Sequence, residues 1–255
     1  MENPKVRVVI LAAGKGKRMG SEKQKALMEI CDKPMIGHLL DSVEEAATVN
    51  MKPIVVYGHG GDELVEYVRE RAETVLQEEQ KGTGHAVSVT RDAVGDADLV
   101  MVLYGDSSLV SAPTIDKLIS YHTNRPAPII MAVGTVNEYS GWQAAFKSFG
   151  RIIRGADEMI TAIREAKDAT DEELAIKEVN PAYFVFEAKW LWNHIDKIGT
   201  ENAQGEIYLT DLIEMAFAEG EPIRTVPIPI EECVGCNTRD ELAVAEKLMK
   251  DRGLC

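Results

Sequence analysis

The feature that most constrains the fold is an alternation of short apolar runs with helical patterns over the first hundred residues. Buried strands rich in β-branched and aliphatic residues are predicted at residues 6–13, 53–57, 74–76 and 99–104. Apolar residues at helical spacing predict helices from Pro34 onward, at 62–72 and at 85–94. This strand–helix–strand order predicts a parallel sheet covered by helices on both faces.

The pattern loosens after residue 126, where further strands and several aromatic residues replace the regular alternation. Strands are predicted at 129–136, 151–154, 159–163, 179–186 and 223–228, helices at 203–218 and 239–250, and an irregular aromatic stretch at 138–150. This order indicates a second, more antiparallel lobe. Because no repeat, low-complexity tract or linker separates the halves, we expect residues 1–255 to form a single domain.

Charge and hydrophobicity together exclude several classes of protein. Lys plus Arg is 28 and Asp plus Glu is 42, so the formal net charge is −14. A protein of this charge repels nucleic acids. The longest strongly apolar stretch, residues 8–13, is too short to span a bilayer, and residues 1–5 lack the features of a signal peptide. We therefore predict a cytoplasmic protein without nucleic-acid or membrane partners, in which any phosphate ligand needs a local cluster of basic side chains.

The four cysteines are Cys31, Cys233, Cys236 and Cys255. Cys233 and Cys236 form a lone C-x-x-C near the C-terminus, without the second pair or the histidine motif that a zinc site needs. A thioredoxin-like motif would lie early in a strand–helix–strand unit. The sequence therefore predicts four reduced thiols.

A basic glycine-rich loop follows the first predicted strand. It reads Leu11-Ala12-Ala13-Gly14-Lys15-Gly16-Lys17-Arg18-Met19, with Lys25 six residues further on. The loop lacks the G-x4-G-K-[ST] of a Walker A motif, and Met19 breaks the G-x-G-x-x-G of a dinucleotide fingerprint. Glycines allow backbone N–H groups to approach phosphate oxygens, so this loop in an acidic chain favours a triphosphate site over a plain turn.

These residues resemble the signature of sugar-phosphate nucleotidyltransferases. Further stretches at 75–86, 103–106, 167–172, 202–211 and 234–237 match in the same order. Together they are similar to the uridyltransferase domain of bifunctional N-acetylglucosamine-1-phosphate uridyltransferase/glucosamine-1-phosphate acetyltransferase, over roughly residues 6–250. Nothing after Asn237 resembles the hexapeptide repeats of the acetyltransferase half, which leaves a free-standing or a truncated chain open.

The resemblance implies a fold and a reaction. The fold is a Rossmann-like three-layer α/β nucleotidyltransferase fold with a mostly parallel central sheet. Its nucleotide-binding lobe covers about residues 1–136, its sugar-binding lobe about 137–237, and a C-terminal helix 238–255. The reaction is the Mg²⁺-dependent attack of N-acetylglucosamine 1-phosphate on the α-phosphate of UTP, which yields UDP-N-acetylglucosamine, a cell-wall precursor, and pyrophosphate.

The resemblance also implies site residues. Arg18 and Lys25 would neutralise the phosphates in the transition state, and Asp106 with Asn237 would hold Mg²⁺. The Gln77 amide would donate to a uracil carbonyl and accept from the ring N–H. The residues expected to bind nucleotide and sugar are Leu11, Ala12, Ala13, Gly14, Gln77, Gly82, Thr83, Tyr104, Gly105, Gly150, Glu165 and Asn180.

Several of these residues also have simpler interpretations. Arg18 and Lys25 are otherwise solvated loop charges, Asp106 a turn former, and Asn237 the N-cap of the helix that follows it. Glu165 alone is typical of a surface carboxylate. His85 is interpreted as an ordinary residue at the start of a helix.

The chain departs from the family pattern in four places, of which the mildest is Cys236 in the place of an aliphatic residue. Lys23-Gln24 replaces Leu-Pro, Asn180-Pro181-Ala182 replaces Asn-Thr-Gly, and the aromatic segment 138–149 replaces a short turn. The last two changes bear on the sugar. Three alternatives therefore stay open: the same reaction with another sugar 1-phosphate or with dTTP, a non-catalytic nucleotide-sugar sensor, and a molybdenum-cofactor nucleotidyltransferase, which the 82–85 and 203–211 matches disfavour. The oligomeric state is not predicted.

Overall fold

One large sheet runs through the protein and positions every loop discussed below. The structure is a computed structural model that describes residues 3–14 and 24–255. Its strands are β1 (Val6–Leu11), β2 (Glu29–Ile30), β3 (Lys33–Pro34), β4 (Ile54–Tyr57), β5 (Glu73–Leu76), β6 (Leu99–Tyr104), β7 (Ile129–Thr135), β8 (Gly150–Arg154), β9 (Ile160–Arg164), β10 (Glu178–Asn180), β11 (Phe184–Glu187) and β12 (Ile223–Pro227).

The helices lie between the strands, as the alternating pattern predicts. They are α1 (Met35–Glu45), α2 (Asp62–Val68), α3 (Thr83–Ser88), α4 (Arg91–Val94), α5 (Ala112–Asn124), α6 (Asp171–Leu174), α7 (Ala188–His194), α8 (Asp211–Ala218) and α9 (Arg239–Asp251). Short 3₁₀-helices lie at Lys25–Leu27, Gly141–Ser148, Ile195–Lys197 and Ile230–Cys233. No helix within residues 3–14 and 24–255 has the length and apolar character needed to cross a membrane.

The central sheet is mostly parallel, which confirms the predicted fold class. Its order is β5-β4-β1-β6-β11-β7, and β12 pairs with β7. The β5-β4-β1-β6 pairs and the β7-β12 pair are parallel, whereas β11 is antiparallel to both its neighbours. At the end of β7, strands β10, β8 and β9 continue as an antiparallel extension, which is the smaller lobe expected from the second half of the sequence.

Two hydrophobic cores lie on opposite faces of the sheet and make the protein three-layered. All six residues of β1 are buried, and their side chains alternate between the faces. Val8 and Ile10 belong to the core that contains buried residues of α1 and α5, and Val9 belongs to the core that contains those of α3, α7 and α8. A strand buried on both faces reads as a continuous apolar run, which is why β1 and β6 could be predicted from the sequence.

The predicted helix at 203–218 is wrong in its first half. Helix α8 begins only at Asp211, because side-chain bonds of Asn202 hold the preceding chain in a loop. Asn202 Oδ1 accepts from the Glu206 N–H at 3.2 Å and Nδ2 donates to the Glu206 carbonyl at 2.6 Å. The Ile207 N–H donates to the Lys81 carbonyl at 2.7 Å instead of to its own turn.

The predicted strand at 179–186 is two strands, β10 and β11, which pair with different neighbours. Pro181 has no N–H to donate, and Ala182 has φ +65°, so the ladder cannot continue through them. Helices α5 and α7 were not predicted. For α5 a signal was present, because Ser111 caps its first turn and a proline follows at the second helical position.

The prediction of four reduced thiols is wrong for Cys31 and Cys255. These two residues form a disulfide across a sequence separation of 224 residues, with Cα atoms 5.4 Å apart. Cys31 lies in the β2–β3 turn, and α9 packs against β2, so the end of the chain returns to this turn. Cys233 and Cys236 are free and buried, as expected.

We expect a thiol reagent to find no fast-reacting cysteine in the native protein. Burial raises the pKa of the Cys233 and Cys236 thiols, and the thiolate is the reactive form. Mild reduction should expose the two thiols of Cys31 and Cys255, and denaturation with reduction all four. In Cys255→Ser, one thiol should react without reduction. Two fast-reacting thiols in the untreated native protein would contradict the disulfide.

The aromatic stretch after β7 is held by one buried arginine. Arg151 is 1% exposed and donates to the backbone carbonyls of Phe146, Lys147, Phe149 and Leu174. Its guanidinium also lies 4.7 Å from the centre of the Tyr139 ring. The segment Gly141–Ser148 is therefore a packed 3₁₀-helix that Arg151 binds to the smaller lobe.

Candidate functional site

The candidate residues of the first hundred positions lie where parallel strands end. Leu11 and Tyr104 are partners at the carboxyl ends of β1 and β6, and the Gly105 N–H donates to the Leu11 carbonyl at 2.9 Å. Gln77 directly follows β5, and its N–H donates to the Tyr57 carbonyl at 2.8 Å. Open α/β sheets bind ligands beyond this edge.

A cavity of about 380 Å³ opens at this edge. The candidate residues that line it are Leu11, Ala12, Ala13, Gly14, Lys25, Gln77, Gly82, Thr83, Tyr104, Gly105 and Asp106. Arg18, with the rest of the basic loop at 15–23, lies outside the described residues. The structure thus brings together every described candidate from the nucleotide side.

The turn at one end of this cavity requires glycine. Gly82 has φ +113°, a conformation that a residue with a Cβ rarely adopts. A Cβ built there would also lie 2.5 Å from the Ile207 carbonyl oxygen. The Gly84 N–H donates to the same carbonyl at 2.8 Å, so the turn and the loop before α8 are fixed against each other.

Gln77 is 3% exposed, and its amide nitrogen has two partners within the protein. Nε2 lies 3.2 Å from the Gly82 carbonyl oxygen and 3.1 Å from His85 Nδ1. In this structure the amide nitrogen therefore has its partners within the protein, and a bond from it to a ligand stays a prediction. The oxygen Oε1 is left as the group that can face the cavity.

Three polar groups converge where this cavity meets its neighbour. Lys25 Nζ donates to Asp106 Oδ2 and, at 2.7 Å, to Asn237 Oδ1. The Lys25 and Asp106 side chains are 21% and 14% exposed, so the ion pair is largely shielded from water. The two predicted metal ligands thus face one positive charge, which Lys25 supplies in this structure.

Asn237 is not the N-cap of the helix that follows. The Thr238 hydroxyl accepts from the Glu241 N–H at 3.2 Å, and the Glu241 carboxylate accepts from the Thr238 N–H at 3.0 Å, a reciprocal capping box. A second bond, from the Asn237 N–H to the same carboxylate, fixes its backbone. The Asn237 side chain is consequently free to point toward Lys25.

The donor set at this point fits a magnesium ion. A carboxylate oxygen of Asp106 and an amide oxygen of Asn237 already converge on one cation, the Lys25 ammonium. Mg²⁺ prefers oxygen ligands and is commonly held by one or two protein groups together with phosphates and waters. The described residues contain no cluster of three or more His, Cys, Asp or Glu side chains that could hold a metal alone. Asp106 and Asn237 would therefore hold such an ion only together with a bound phosphate.

A second cavity of about 440 Å³ adjoins the first. Lys25, Thr83, Tyr104, Asp106 and Glu206 line both. Its further walls include all three candidates from the smaller lobe, Gly150, Glu165 and Asn180, together with Phe149 of the aromatic segment. Gly150 and Asn180 are partners across β8 and β10, and Glu165 follows the end of β9.

Glu165 and Tyr104 give this second cavity its electrostatic character. Burial raises the pKa of Glu165, against the opposing effect of the Thr210 hydroxyl, which donates to its Oε1 at 3.1 Å. Burial and the nearby Glu165 carboxylate raise the pKa of Tyr104. Tyr104 therefore stays a neutral donor at physiological pH.

The Asn180-Pro181-Ala182 departure forms a tight turn at the wall of this cavity. Asn180 Oδ1 accepts from the Ala182 N–H at 2.9 Å, which leaves the Asn180 Nδ2 group as the donor toward the cavity. Ala182 has φ +65°, in the left-handed region where the family pattern has glycine. Ala182 lines the cavity, so its methyl group is part of the wall.

Ala182→Gly is expected to raise the free energy of unfolding by about 0.5–1 kcal/mol, because it removes left-handed strain at a modest cost in chain entropy. Urea denaturation measures the change. Ala47→Gly, at an exposed alanine without positive φ, is the control and should lower stability slightly. If the Ala182→Gly protein is less stable than the wild type, the backbone at Ala182 is not strained.

Sequence reasoning missed two residues at the site. The Gln80 amide donates to the Ala13 carbonyl and so holds the start of the glycine loop, and Glu206 lines both cavities. Both lie inside stretches that carried the family resemblance, but neither received a role. Their place in the sequence could have indicated a role at the site, since Gln80 lies three residues after Gln77 and Glu206 lies one residue after Gly205.

The fold and site define an α/β protein with two joined cavities beside the carboxyl ends of its parallel strands. The model of the MobA-like NTP transferase domain matches residues 8–197. The chain belongs to this family and is a nucleotidyltransferase.

Among curated proteins, the chain is 39% identical over 248 residues to the bifunctional protein GlmU of Latilactobacillus sakei. It is 38% identical over 244 residues to the bifunctional protein GlmU of Thermoanaerobacter pseudethanolicus. Each match covers 96% of this chain and 51% of the relative, so the chain spans about half the length of these relatives.

Two solved structures share the fold. A UDP-glucose pyrophosphorylase complexed with UDP-glucose superposes with TM-score 0.75 at 16% identity, covering 97% of this chain and 99% of that one. A CMP:2-keto-3-deoxy-manno-octonic acid synthetase complexed with CTP gives TM-score 0.70 at 20% identity, with the same coverage. These likenesses support the fold alone.

Proposed function

We propose that this protein transfers UMP from UTP to a sugar 1-phosphate, with N-acetylglucosamine 1-phosphate as the preferred acceptor and Mg²⁺ as the metal. The products are UDP-N-acetylglucosamine and pyrophosphate. The proposal includes a nucleotide-binding lobe, a sugar-binding lobe and a cytoplasmic location, as expected from the sequence. It rests on the family resemblance together with the arrangement of the two cavities.

The position of Lys25 carries the proposal. Its ammonium lies on the wall common to both cavities, bound to Asp106 and Asn237. A nucleotide in one cavity and a sugar phosphate in the other would meet at this wall. A cationic group there counters the repulsion between two anionic substrates, which a chain of net charge −14 otherwise increases.

The chemistry asks for positioning more than for acid–base catalysis. The sugar phosphate oxygen is already an anion, so it attacks the α-phosphorus in line without a general base. The charge that develops on the departing pyrophosphate is the part the protein must stabilise. We assign this role to Lys25 and, by resemblance, to Arg18.

Asp106 and Asn237 would hold the magnesium ion. Bound there, the ion would supply charge neutralisation at phosphate oxygens. In this structure the Lys25 bonds and the Asn237 backbone bond direct these oxygen atoms at one point. A magnesium ion bound there would take the place of the Lys25 ammonium, which would then face the phosphates.

The polar groups of the second cavity support an acylamino sugar. With its oxygen engaged by Ala182, Asn180 offers an N–H donor, which suits an acyl oxygen. Glu165 offers carboxylate acceptors, which suit hydroxyl groups or an amide N–H. The Ala182 methyl group lies on the same wall and so bears on the choice of sugar.

Pyrophosphate release with UTP and Mg²⁺ tests the proposal when N-acetylglucosamine 1-phosphate, glucose 1-phosphate and other sugar phosphates are compared. A strong preference for the N-acetyl sugar is expected. Preference for another sugar would retain the reaction and revise the acceptor. Tight UTP binding without release for any pair of substrates would contradict the activity and indicate a sensor.

A further inference from the structure

The orientation of the Gln77 amide is fixed by its surroundings. Nε2 lies 3.2 Å from the carbonyl oxygen of Gly82, a group that can only accept a hydrogen bond. The opposite orientation would place two acceptor oxygens against each other inside a site where Gln77 is 3% exposed. The nitrogen must therefore face Gly82.

The second N–H of this amide is taken by His85. Nε2 lies 3.1 Å from His85 Nδ1, which must carry the lone pair in order to accept. Both acceptors belong to one rigid turn, because the Ala86 N–H donates to the Gly82 carbonyl at 3.1 Å as α3 begins.

With both N–H groups engaged, Gln77 presents only an acceptor to the nucleotide cavity. Within the described part of the chain, Oε1 has no hydrogen-bond partner, and Gln77 lines the cavity. The N–H at position 3 of uracil is a donor and fits this oxygen. In cytosine the nitrogen at position 3 carries a lone pair instead of a proton. It would therefore face Oε1 as a second acceptor, without a hydrogen bond between them.

We propose that His85 is a positioning residue that makes this site specific for uracil over cytosine. It acts through Gln77, by accepting the amide proton that would otherwise be buried without a partner. The proposal rests on the proposed function for the nature of the nucleotide. The sequence interpretation of His85 as an ordinary helix-start residue misses this contact, which only the fold creates.

Two substitutions at His85 distinguish the effect of its hydrogen-bond acceptor from the effect of its ring packing. In His85→Asn, the Oδ1 oxygen can occupy the place of Nδ1 and accept the same proton, whereas His85→Phe keeps the ring and removes the acceptor. The experiment measures kcat and KM for UTP and CTP with saturating sugar 1-phosphate. We expect His85→Phe to raise KM for UTP on the order of tenfold with little change in kcat, the loss expected for one bond to a buried amide. The ratio of kcat/KM for UTP over CTP should fall by a similar factor, and His85→Asn should keep both values near wild type.

Unchanged KM and base preference in His85→Phe would overturn the proposal. Equal losses in both variants would also overturn it, because they would point to ring packing rather than to the acceptor. If His85→Phe does not fold, as judged by thermal unfolding, His85→Leu replaces it in the same comparison. A wild-type protein that uses CTP as well as UTP would instead contradict the base assigned in the proposed function.

Discussion

Lys25→Met is expected to lower kcat for pyrophosphate release by about 10²- to 10³-fold, the usual loss when one preorganised group is removed from a developing charge. Methionine keeps much of the side-chain volume and removes the ammonium that Asp106 and Asn237 hold in place. Because the charge acts on the departing phosphate, KM for UTP should change less than kcat. Steady-state kinetics of pyrophosphate release measure both.

Lys247→Met is the matched control, since Lys247 is exposed on α9, away from both cavities. It should keep wild-type kinetics. Thermal unfolding of Lys25→Met should confirm that the variant folds. A folded Lys25→Met protein with wild-type turnover would contradict the placement of the reaction at the wall between the cavities.

Arg151→Met is expected to cause the largest loss of stability, about 3–5 kcal/mol in the free energy of unfolding. Arg151 donates to four backbone carbonyls and is 1% exposed, so its removal leaves several buried acceptors without partners. Arg151→Lys should recover only part of the loss, because an ammonium cannot reproduce the planar fork of a guanidinium. Urea denaturation at constant pH measures these changes.

Arg125→Met is the control for the ring contact, because Arg125 also lies over a tyrosine, at 5.9 Å, but on the exposed surface. It should cost less than about 1 kcal/mol. If Arg151→Met lowers the free energy of unfolding by a similarly small amount, Arg151 does not hold the aromatic segment in place. Because Phe149 lines the second cavity, a folded Arg151→Lys protein should also show a raised KM for the sugar phosphate.

The parallel half of the fold could be predicted because the pattern of residues within each strand is enough to identify it. Strands such as β1 and β6 are buried on both faces and therefore read as apolar runs, in which Arg7 of β1 is the one charged residue. Their carboxyl ends carry the glycine loop and Asp106, so the edge of the sheet followed from the pattern, whereas the roles of the candidate residues there came from the family resemblance. The predictions failed where distant contacts decide the structure, as in residues 203–210, where bonds to Lys81 and Gly84 replace helical ones.

The candidate site was less predictable than the fold, because roles depend on the partners of each side chain. Asn237 and Thr238 are both good helix caps, and only the bonds to Glu241 decide that Thr238 takes the role. The Gln77 amide could both donate and accept in principle, until His85 and Gly82 use its donors. The disulfide between Cys31 and Cys255 joins residues 224 apart, a pairing that spacing alone does not reveal.

The most direct test of the account uses UTP radiolabelled at its α-phosphate, together with N-acetylglucosamine 1-phosphate and Mg²⁺. We predict that the label moves into UDP-N-acetylglucosamine, with one pyrophosphate released for each labelled product. Asp106→Asn should abolish both in step. Label recovered as free UMP or UDP, or transfer that persists in a folded Asp106→Asn protein, would contradict nucleotidyl transfer at this site.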